Sequence, residues 1–190
     1  MERTYKEDEK FEGIDYTFKK LPLGEYENCQ FINCNFAEVN LSKISFIDCL
    51  FDNCNLSAAN INDTSFQETQ FINCKMMGLR FEDCNQFLFT VSFTGCLLNL
   101  STFYKMKIKN TRFINCSMQE VDFTETDLTS ADFDSCNLLH AIFDNSILEK
   151  ADLRTAINFS IDPERNKIKK SKFSVTALSG LLHKYDLVIE

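Results

Sequence analysis

Large apolar residues recur at every fifth position along most of the chain. From Tyr26 to Phe81 this spacing gives twelve positions, and all twelve are apolar. The pattern slips by two residues near Gln86, resumes at Leu88 and continues to Leu153, with fourteen apolar positions out of fourteen. In a chain that is 44% apolar, such a run is not chance. The five-residue unit centred on each of these positions, here called a pentad, is therefore the repeat that determines the fold.

A second column of positions lies two residues before each centre. Its side chains are small or thin, mostly Cys, Val, Ala, Thr and Ser, and in the second block the spacing places Gln86 at its start. The position directly before the centre is often Asn or Asp, as at Asn55 and Asp122. The pentad therefore has a small residue, a polar residue and a large apolar centre in fixed order.

A period of five fits neither a straight α-helix nor a flat strand. Five residues advance an α-helix by about 500°, which spreads the centres over all its sides, and odd steps along a strand alternate between its faces. All centres share one side only if the chain turns a corner after each pentad, which predicts a solenoid. Cysteines recur at intervals of twenty residues, at Cys34, Cys54 and Cys74 and again from Cys96 to Cys136. Four pentads per coil predict an all-β, square-sided rod with Phe, Leu and Ile along its axis.

The pentad pattern ends at residue 155. The sequence therefore predicts a repeat domain over 1–155, in which residues 1–25 fit the pattern only loosely and form an irregular first coil or cap. It predicts a separate C-terminal module over 156–190, because Asp162-Pro163 is a turn signal that stops regular structure. A repeat rod ends in an exposed apolar cross-section and unpaired strand edges, which such a module covers or pairs with a second copy.

Within this module the sequence predicts a short helix over 175–184 and a terminal strand over 186–190. The apolar residues of the helix recur at helical spacing and would form one stripe. This stripe is the candidate dimer contact, and it comprises Val175, Leu178, Leu181, Leu182 and Tyr185.

The chain carries 28 acidic and 20 basic side chains and a formal charge of −8. An excess of acid disfavours binding to nucleic acid or to an anionic membrane, because both are negative. The first ten residues, MERTYKEDEK, lack the apolar core of a signal peptide, and no run approaches the ~20 apolar residues of a membrane span. The sequence predicts a cytoplasmic protein whose nine cysteines are free thiols.

The sequence contains little that resembles catalytic machinery. Nothing near His140 or His183 suggests a catalytic triad, and the chain has only five glycines and no phosphate-binding loop. Zinc sites favour cysteines two to four residues apart, whereas here the spacings are five and twenty. Each Cys occupies a position that elsewhere holds Val, Ala, Thr or Ser, which favours a structural role over metal binding. We expect no enzyme activity, no metal and no cofactor.

Two pentads, ADFDS at 131–135 and ADLRT at 151–155, closely match the A(D/N)LXX consensus of the pentapeptide-repeat family. The chain resembles this family over residues 26–155, which implies a right-handed quadrilateral β-helix. The tail, ending in GLLHKYDLVIE, is similar to the C-terminal module of the branch that contains Qnr-type quinolone-resistance and microcin-immunity proteins. That resemblance implies a head-to-head homodimer and a type II topoisomerase, DNA gyrase or topoisomerase IV, as partner.

The second half of the repeat is rich in acid. Residues 120–152 contain nine acids and one base, Lys150. Over residues 26–153 the chain has 17 acids, and duplex DNA of the same length, about 30 Å, carries about 18 phosphates. The candidate partner-binding surface is Glu120, Asp122, Glu125, Asp127, Asp132, Asp134, Asp144 and Asp152.

Two hypotheses for the function follow. In the first, the chain is a non-catalytic acidic rod that mimics DNA and competes for the DNA-binding groove of gyrase, giving protection against quinolones or microcin. In the second, it is a scaffold with an unrelated protein partner, and its acidic surface only keeps the rod soluble. Inhibition of gyrase distinguishes the first hypothesis from the second.

Overall fold

The structure, a computed structural model, describes residues 3–188. It is a β-solenoid of about eight turns, built from short parallel strands that pair with the strand one coil away. A four-stranded sheet contains β1 (Thr4–Glu7), β3 (Gly24–Glu27), β5 (Ser45–Ile47) and β7 (Ser65–Gln67). A six-stranded sheet contains β2 (Lys10–Glu12), β4 (Gln30–Ile32), β6 (Leu50–Asp52), β8 (Thr69–Ile72), β9 (Val91–Thr94) and β10 (Arg112–Ile114).

The rod has four faces, which we number from the second coil. Faces 1 to 4 are those of the pentads centred on Tyr26, Phe31, Phe36 and Leu41. The four-stranded sheet lies on face 1 and the six-stranded sheet on face 2, whereas single β-bridges one coil apart join the pentads of faces 3 and 4. Strand partners are twenty residues apart, as in the pairing of Phe31 with Phe51. The predicted repeat of four pentads per coil is confirmed.

The pentad centres fill the axis of the rod. On face 2 the rings of Phe31 and Phe51 stack with centroids 4.7 Å apart, and this stack continues through Phe71, Phe93 and Phe113 at 5.2–5.4 Å. Rings on adjacent faces meet edge to face. All of these rings are fully buried, so the repeat converts sequence spacing directly into a continuous aromatic core.

The corners have a left-handed backbone that the apolar pattern did not reveal. The second residue after nearly every centre has a positive φ, for example 58° at Glu38 and 53° at Asn33. On faces 3 and 4 the corner is closed by a β-turn hydrogen bond, such as that from the Val39 N–H to the Phe36 carbonyl at 3.0 Å. Asn, Asp and Gly favour this conformation, which explains why many corners hold Asn or Asp.

The small residues two positions before the centres donate hydrogen bonds. The Cys54 thiol donates to the Phe31 carbonyl of the previous coil, with Sγ to O 3.2 Å. The hydroxyls of Thr126 and Ser146 make the equivalent bond at 2.7 and 2.8 Å. Cys, Thr and Ser can therefore replace one another in this column, because each combines small volume with a donor.

All nine cysteines are free and buried, which leads to a testable result. Burial raises the pKa of the Cys49 thiol to about 12, so its thiolate is scarce at neutral pH. The folded rod also closes all nine side chains off from a reagent. We expect none of the nine thiols to react with Ellman's reagent in the native protein at pH 8, and all nine to react in guanidinium chloride. Rapid labelling of any thiol in the native protein would contradict the buried arrangement.

The slip near Gln86 is a two-residue bulge on face 1. Asn85 still bridges Ser65, and Val91 pairs with Thr69, but six positions rather than four separate Asn85 from Val91. The buried small position is held by Cys84, and Gln86 is exposed.

Within the bulge, the prediction that Leu88 is a buried pentad centre is wrong. Leu88 is 60% exposed and takes a positive φ of 56°. Phe89 packs inward instead, with its ring 6.5 Å from that of Phe66 and 6.3 Å from that of Phe81. Just before the bulge, residues Phe81–Asp83 form a single 3-10 turn.

The first coil is more regular than its sequence suggested. The sequence predicted an irregular segment at 1–25, but β1 pairs with β3 and β2 pairs with β4 in the same register as later coils. The Phe11 ring stacks on Phe31 at 4.9 Å, and Tyr16 stacks on Phe36 at 4.6 Å. Loose pentads therefore still build a coil when the next coil supplies a template.

Coil pairing also continues past residue 155. The Leu148 N–H donates to the Lys167 carbonyl at 2.8 Å, and β11 (Asp152–Leu153) pairs with β12 (Lys172–Phe173). The chain departs from the regular pentad at residue 158. Asn158 has a φ of 60° and is exposed, and its neighbour Phe159 is buried in the core instead.

The helix predicted over 175–184 is present as two 3-10 segments, Val175–Leu181 and His183–Tyr185. The strand predicted over 186–190 is wrong for residues 186–188, which have no strand structure, and residues 189–190 lie outside the described part. Gly180 explains the tight docking of the first segment, because a side chain there would lie 2.5 Å from the Phe159 carbonyl oxygen. Among residues 3–188, no helix is both long and apolar enough to cross a bilayer.

Candidate protein-binding surface

The acids predicted to bind a partner do not lie on one face. Glu120 and Glu125 occupy corners, before and after face 4 respectively, and both have a positive φ. The other six are distributed as follows: Asp122 and Asp144 on face 4, Asp127 on face 1, and Asp132, Asp134 and Asp152 on face 2. They spread over three of the four faces and do not form one surface.

Several of these carboxylates have a structural role at the corners. The Asp122 carboxylate accepts a hydrogen bond from the Thr124 N–H at 2.8 Å. Asp127 accepts one from the N–H of Thr129 at 3.1 Å. Asn40 accepts the equivalent bond from the N–H two residues later at 3.0 Å. The Asp or Asn before a centre therefore caps the turn that follows, and Asp→Asn removes its charge without removing its acceptor.

Bases neutralise half of the eight acids. The stacked repeat brings a Lys or Arg of a neighbouring coil within 4 Å of each of the four, and Asp152 also pairs with Arg154 of its own pentad. The pairs are Lys105–Glu125 at 3.5 Å, Lys109–Asp127 at 3.2 Å, Arg165–Asp144 at 2.6 Å, and Asp152 with Arg154 at 2.8 Å and Lys172 at 3.2 Å. Hydrogen bonds from the Arg154 guanidinium hold the pKa of Asp152 well below its ordinary value. Burial opposes a similar shift at Asp127, but bonds from Thr129 and Lys109 lower its pKa.

The unbalanced negative charge lies elsewhere, on faces 1 and 2 of the first four coils. These pentads, residues 4–13, 24–33, 44–53 and 64–73, contain nine acids and two bases, Lys6 and Lys10. We call this surface the acidic side. Its acids are Glu7, Asp8, Glu9, Glu12, Glu25, Glu27, Asp48, Asp52 and Glu68.

Most of the acidic side is free of ion pairs. Within residues 3–188 only Glu9 and Glu12 are paired, with Lys6 at 2.9 Å and Lys10 at 2.7 Å. On faces 3 and 4 of the same coils, five acids are matched by five bases. The acidic side therefore has a more negative net charge than the other two faces of the same coils. It also has a more negative net charge than faces 1 and 2 in the second half of the rod.

The predicted dimer contact is largely exposed. Val175, Leu178, Leu182 and Tyr185 are all accessible, but Leu181 is partly buried and packs against the core. Leu181 therefore holds the 3-10 segment to the rod, and four of the five predicted residues remain available to a partner.

The two histidines line an open groove of about 750 Å³ between this segment and the last coils. The groove lining, taken from the described residues, includes His140, His183 and Arg154 but no Asp, Glu or Cys. In addition, no group of three or more potential metal ligands occurs within residues 3–188.

A family model for the pentapeptide repeat region matches residues 25–86 and 87–160. This chain belongs to the pentapeptide-repeat family. No curated protein sequence matches it.

Among solved pentapeptide-repeat structures, a trypsin-treated variant of QnrB1, a plasmid-mediated fluoroquinolone resistance protein, is similar at 15% identity and a TM-score of 0.67. The match covers 98% of this chain and 92% of that one. HetL, involved in heterocyst differentiation regulation in the cyanobacterium Nostoc sp. strain PCC 7120, is similar at 14% identity and a TM-score of 0.67. That match covers 90% of this chain and 84% of the other. At these identities the likeness shows the fold alone.

The geometry of a pentapeptide-repeat rod explains why the acidic side is hard to find in the sequence. Residues that share a face are twenty positions apart, so Asp8, Asp48 and Glu68 are far apart in sequence but lie along one corner. A count along the chain instead finds the dense run of acids at 120–152, whose members face in different directions. Counting charge by pentad face would have identified the surface.

Proposed function

We propose that this pentapeptide-repeat protein is a non-enzymatic rod whose acidic side occupies the DNA-binding groove of a type II topoisomerase, with DNA gyrase as the first candidate. The observation that carries the proposal is the concentration of nine acids and two bases on two adjacent faces of four coils. A groove that binds DNA is lined with basic side chains, so the negative charge of the acidic side drives the competition with DNA.

The charge density of the acidic side supports this assignment. Four coils span about 19 Å, and duplex DNA of that length carries about 11 phosphates. The acidic side has nine acids and two bases, a net charge of −7. This surface therefore reaches roughly two thirds of the charge of DNA, whereas the whole repeat region reaches about half.

The rod also resembles QnrB1 in fold over nearly its whole length. We therefore extend the proposal to protection of the topoisomerase against quinolones or microcin in the cytoplasm. The C-terminal residues Val175, Leu178, Leu182 and Tyr185 are a proposed contact for a head-to-head homodimer, since they form an exposed apolar end.

The proposal is tested by DNA supercoiling with purified bacterial gyrase. We expect the wild-type protein to inhibit supercoiling at micromolar concentration and with a steep dependence on salt. The triple variant Asp48→Asn, Asp52→Asn and Glu68→Gln removes charge without changing shape. It should raise the half-inhibitory concentration by about tenfold or more.

A control is Asp15→Asn with Glu38→Gln, which removes two acids from face 3 and from the corner between faces 3 and 4 of the first two coils. This control should leave inhibition unchanged. If the wild-type protein has no effect on gyrase or topoisomerase IV, the topoisomerase assignment is wrong and the alternative applies: a scaffold with an unrelated partner. If inhibition survives the triple variant, a different surface binds. Repeating the assay with a quinolone tests protection separately.

A further inference from the structure

Charge reverses sign along the corner between faces 1 and 2. In the first four coils this corner holds Asp8, Asn28, Asp48 and Glu68, and in the last four it holds Asn110, Ser130, Lys150 and Lys170. All eight have a positive φ, so they occupy equivalent places in successive coils. Their side chains form a column with acid at one end and base at the other.

The two flanking faces follow the same reversal. On the same two faces of the last four coils, bases outnumber acids by nine to five. These pentads are residues 106–115, 126–135, 146–155 and 166–175. We call this surface the basic side. Its bases are Lys107, Lys109, Arg112, Lys150, Arg154, Lys167, Lys169, Lys170 and Lys172.

The bulge lies at the midpoint of this column. Four corner residues precede it and four follow it, and the left-handed residue between Glu68 and Asn110 is Leu88. Leu88 is 60% exposed and the adjacent Phe87 is 70% exposed. Two large apolar side chains therefore project on face 1 where the acidic side meets the basic side.

From these observations we propose that a second copy of this chain packs side by side and antiparallel along this corner, with the two-fold axis at the bulge. A two-fold interface must be self-complementary, and a surface whose charge inverts about its centre has this property. The rotation places Asp8 opposite Lys170 of the other copy. It also places the Phe87–Leu88 bulges of the two copies against each other.

The occupant follows from the order of the charges. Duplex DNA and anionic membranes are repelled by the acidic side. A basic groove, such as that of the proposed topoisomerase, matches only the first four coils and is repelled by the basic side of the last four. A ligand that matches the whole length has base, apolar and acid in the reverse order, which is what an inverted copy of this rod presents. The exception is residues 126–135, which contain three acids and no base and would lie opposite Asp48 and Asp52 of the other copy. Lys109 pairs with Asp127 at 3.2 Å and reduces this repulsion, and the attraction comes from the coils at the two ends and next to the bulge.

The size of the contact is sufficient for a specific dimer. The corner from Asp8 to Lys170 crosses eight coil spacings, about 40 Å in all. A strip about 15–20 Å wide along it buries roughly 600–800 Å² per copy, close to the standard interface of about 800 Å² per partner. Charge pairs at the ends of the strip give orientation and salt dependence. The apolar bulges at its centre are in the position where interface energy is usually concentrated.

The test is sedimentation velocity of the full chain at low and high salt. We expect a dimer at about 20 mM salt that dissociates toward monomer at about 500 mM. One variant, Asp8→Lys with Asp48→Lys, makes both ends of the corner basic. A second, Lys150→Glu with Lys170→Glu, makes both ends acidic. Lys and Glu already occupy left-handed corners at Lys43 and Glu120, so these changes suit the backbone.

Each charge-reversal variant alone should dimerise at least tenfold more weakly than the wild type. An equimolar mixture of the two should recover affinity to within about threefold, because each then meets its opposite. The control Glu38→Lys with Glu120→Lys reverses two acids at the corner between faces 3 and 4 and should not change dimerisation. Phe87→Ser with Leu88→Asn should weaken the dimer at least tenfold.

Three results would overturn the proposal. The first is a wild-type protein that stays monomeric at low salt, and the second is a mixture of the reversed variants that fails to associate. The third is a dimer lost on Leu182→Lys with Tyr185→Lys but unaffected by charge reversal, which would place the contact at the C-terminal end. The measurement contains no topoisomerase, so the dimer can be absent while inhibition of gyrase stands, and the reverse. Because the antiparallel dimer covers the acidic side, the monomer is the form that would enter the topoisomerase groove.

Discussion

Phe113→Ala is expected to destabilise the rod by about 3–5 kcal/mol. The Phe113 ring is fully buried. It stacks on Phe93 at 5.3 Å and Phe133 at 5.2 Å and meets Phe103 and Phe123 edge to face at 6.0 and 6.2 Å. Its removal leaves a cavity in the middle of the core that rigid coils above and below cannot close. Guanidinium unfolding followed by circular dichroism measures the loss.

A matched control for this variant is Phe18→Ala. Phe18 is 92% exposed, so its truncation should change stability by no more than about 0.5 kcal/mol. The same residue type therefore has two very different effects, set only by its place in the pentad. A loss below about 1 kcal/mol at Phe113 would contradict the stacked core.

Gly24→Ala is expected to detach the first coil from the rod. A Cβ at residue 24 would lie 2.0 Å from the Thr4 carbonyl oxygen, so the β1–β3 pairing must open to admit it. That pairing contains the bond from the Thr4 N–H to the Leu23 carbonyl at 3.0 Å. We expect amide-exchange protection to fall over residues 4–13, with a loss of about 1–3 kcal/mol in overall stability.

The control for this variant is Gly13→Ala in the same coil. Gly13 has a φ of 64°, and no heavy atom lies within 4 Å of a Cβ built there. The substitution introduces backbone strain of about 1 kcal/mol but no steric overlap, so the first coil should stay paired. Equal loss of protection in both variants would show that strain and not close approach governs this coil.

Most of the fold follows from the sequence because burial in this rod depends on one period. Phe31, Phe51 and Phe71 fall on that period, and the structure stacks them as expected. The prediction fails at the bulge for a definite reason. Leu88 and Phe89 are both large and apolar, so periodicity alone cannot decide which one turns inward. At residue 158 the same ambiguity is absent, because Asn158 is polar and Phe159 is its apolar neighbour.

The corners were harder to predict than the core. Glu38, Lys43 and Leu100 all take a left-handed backbone although none of them favours it. The closed coil imposes the conformation, and the cost of about 1 kcal/mol per residue is offset by the packing of the centre two positions earlier. The C-terminal segment shows a similar limit, since an apolar stripe predicts a helix but does not distinguish a 3-10 helix from an α-helix.

The candidate site was predicted least well, because binding depends on position around the rod and not along the chain. Asp127 and Asp152 belong to an acidic stretch of sequence, yet each meets a base from a neighbouring coil in the structure. Asp48 and Glu68 attract no notice in the sequence, yet they share a corner. The period of twenty that builds the fold also determines which charges act together.

The constant register of twenty residues makes the length of this molecule adjustable in discrete steps. Duplicating any stretch of twenty residues would add one coil, about 4.8 Å along the axis, and leave every existing column intact. An insertion of any other length has no place in the columns and must be extruded, as the two surplus residues are between Asn85 and Val91. Such rods can therefore lengthen or shorten by whole coils during evolution. Insertions of other lengths become protrusions, which selection can turn into contacts.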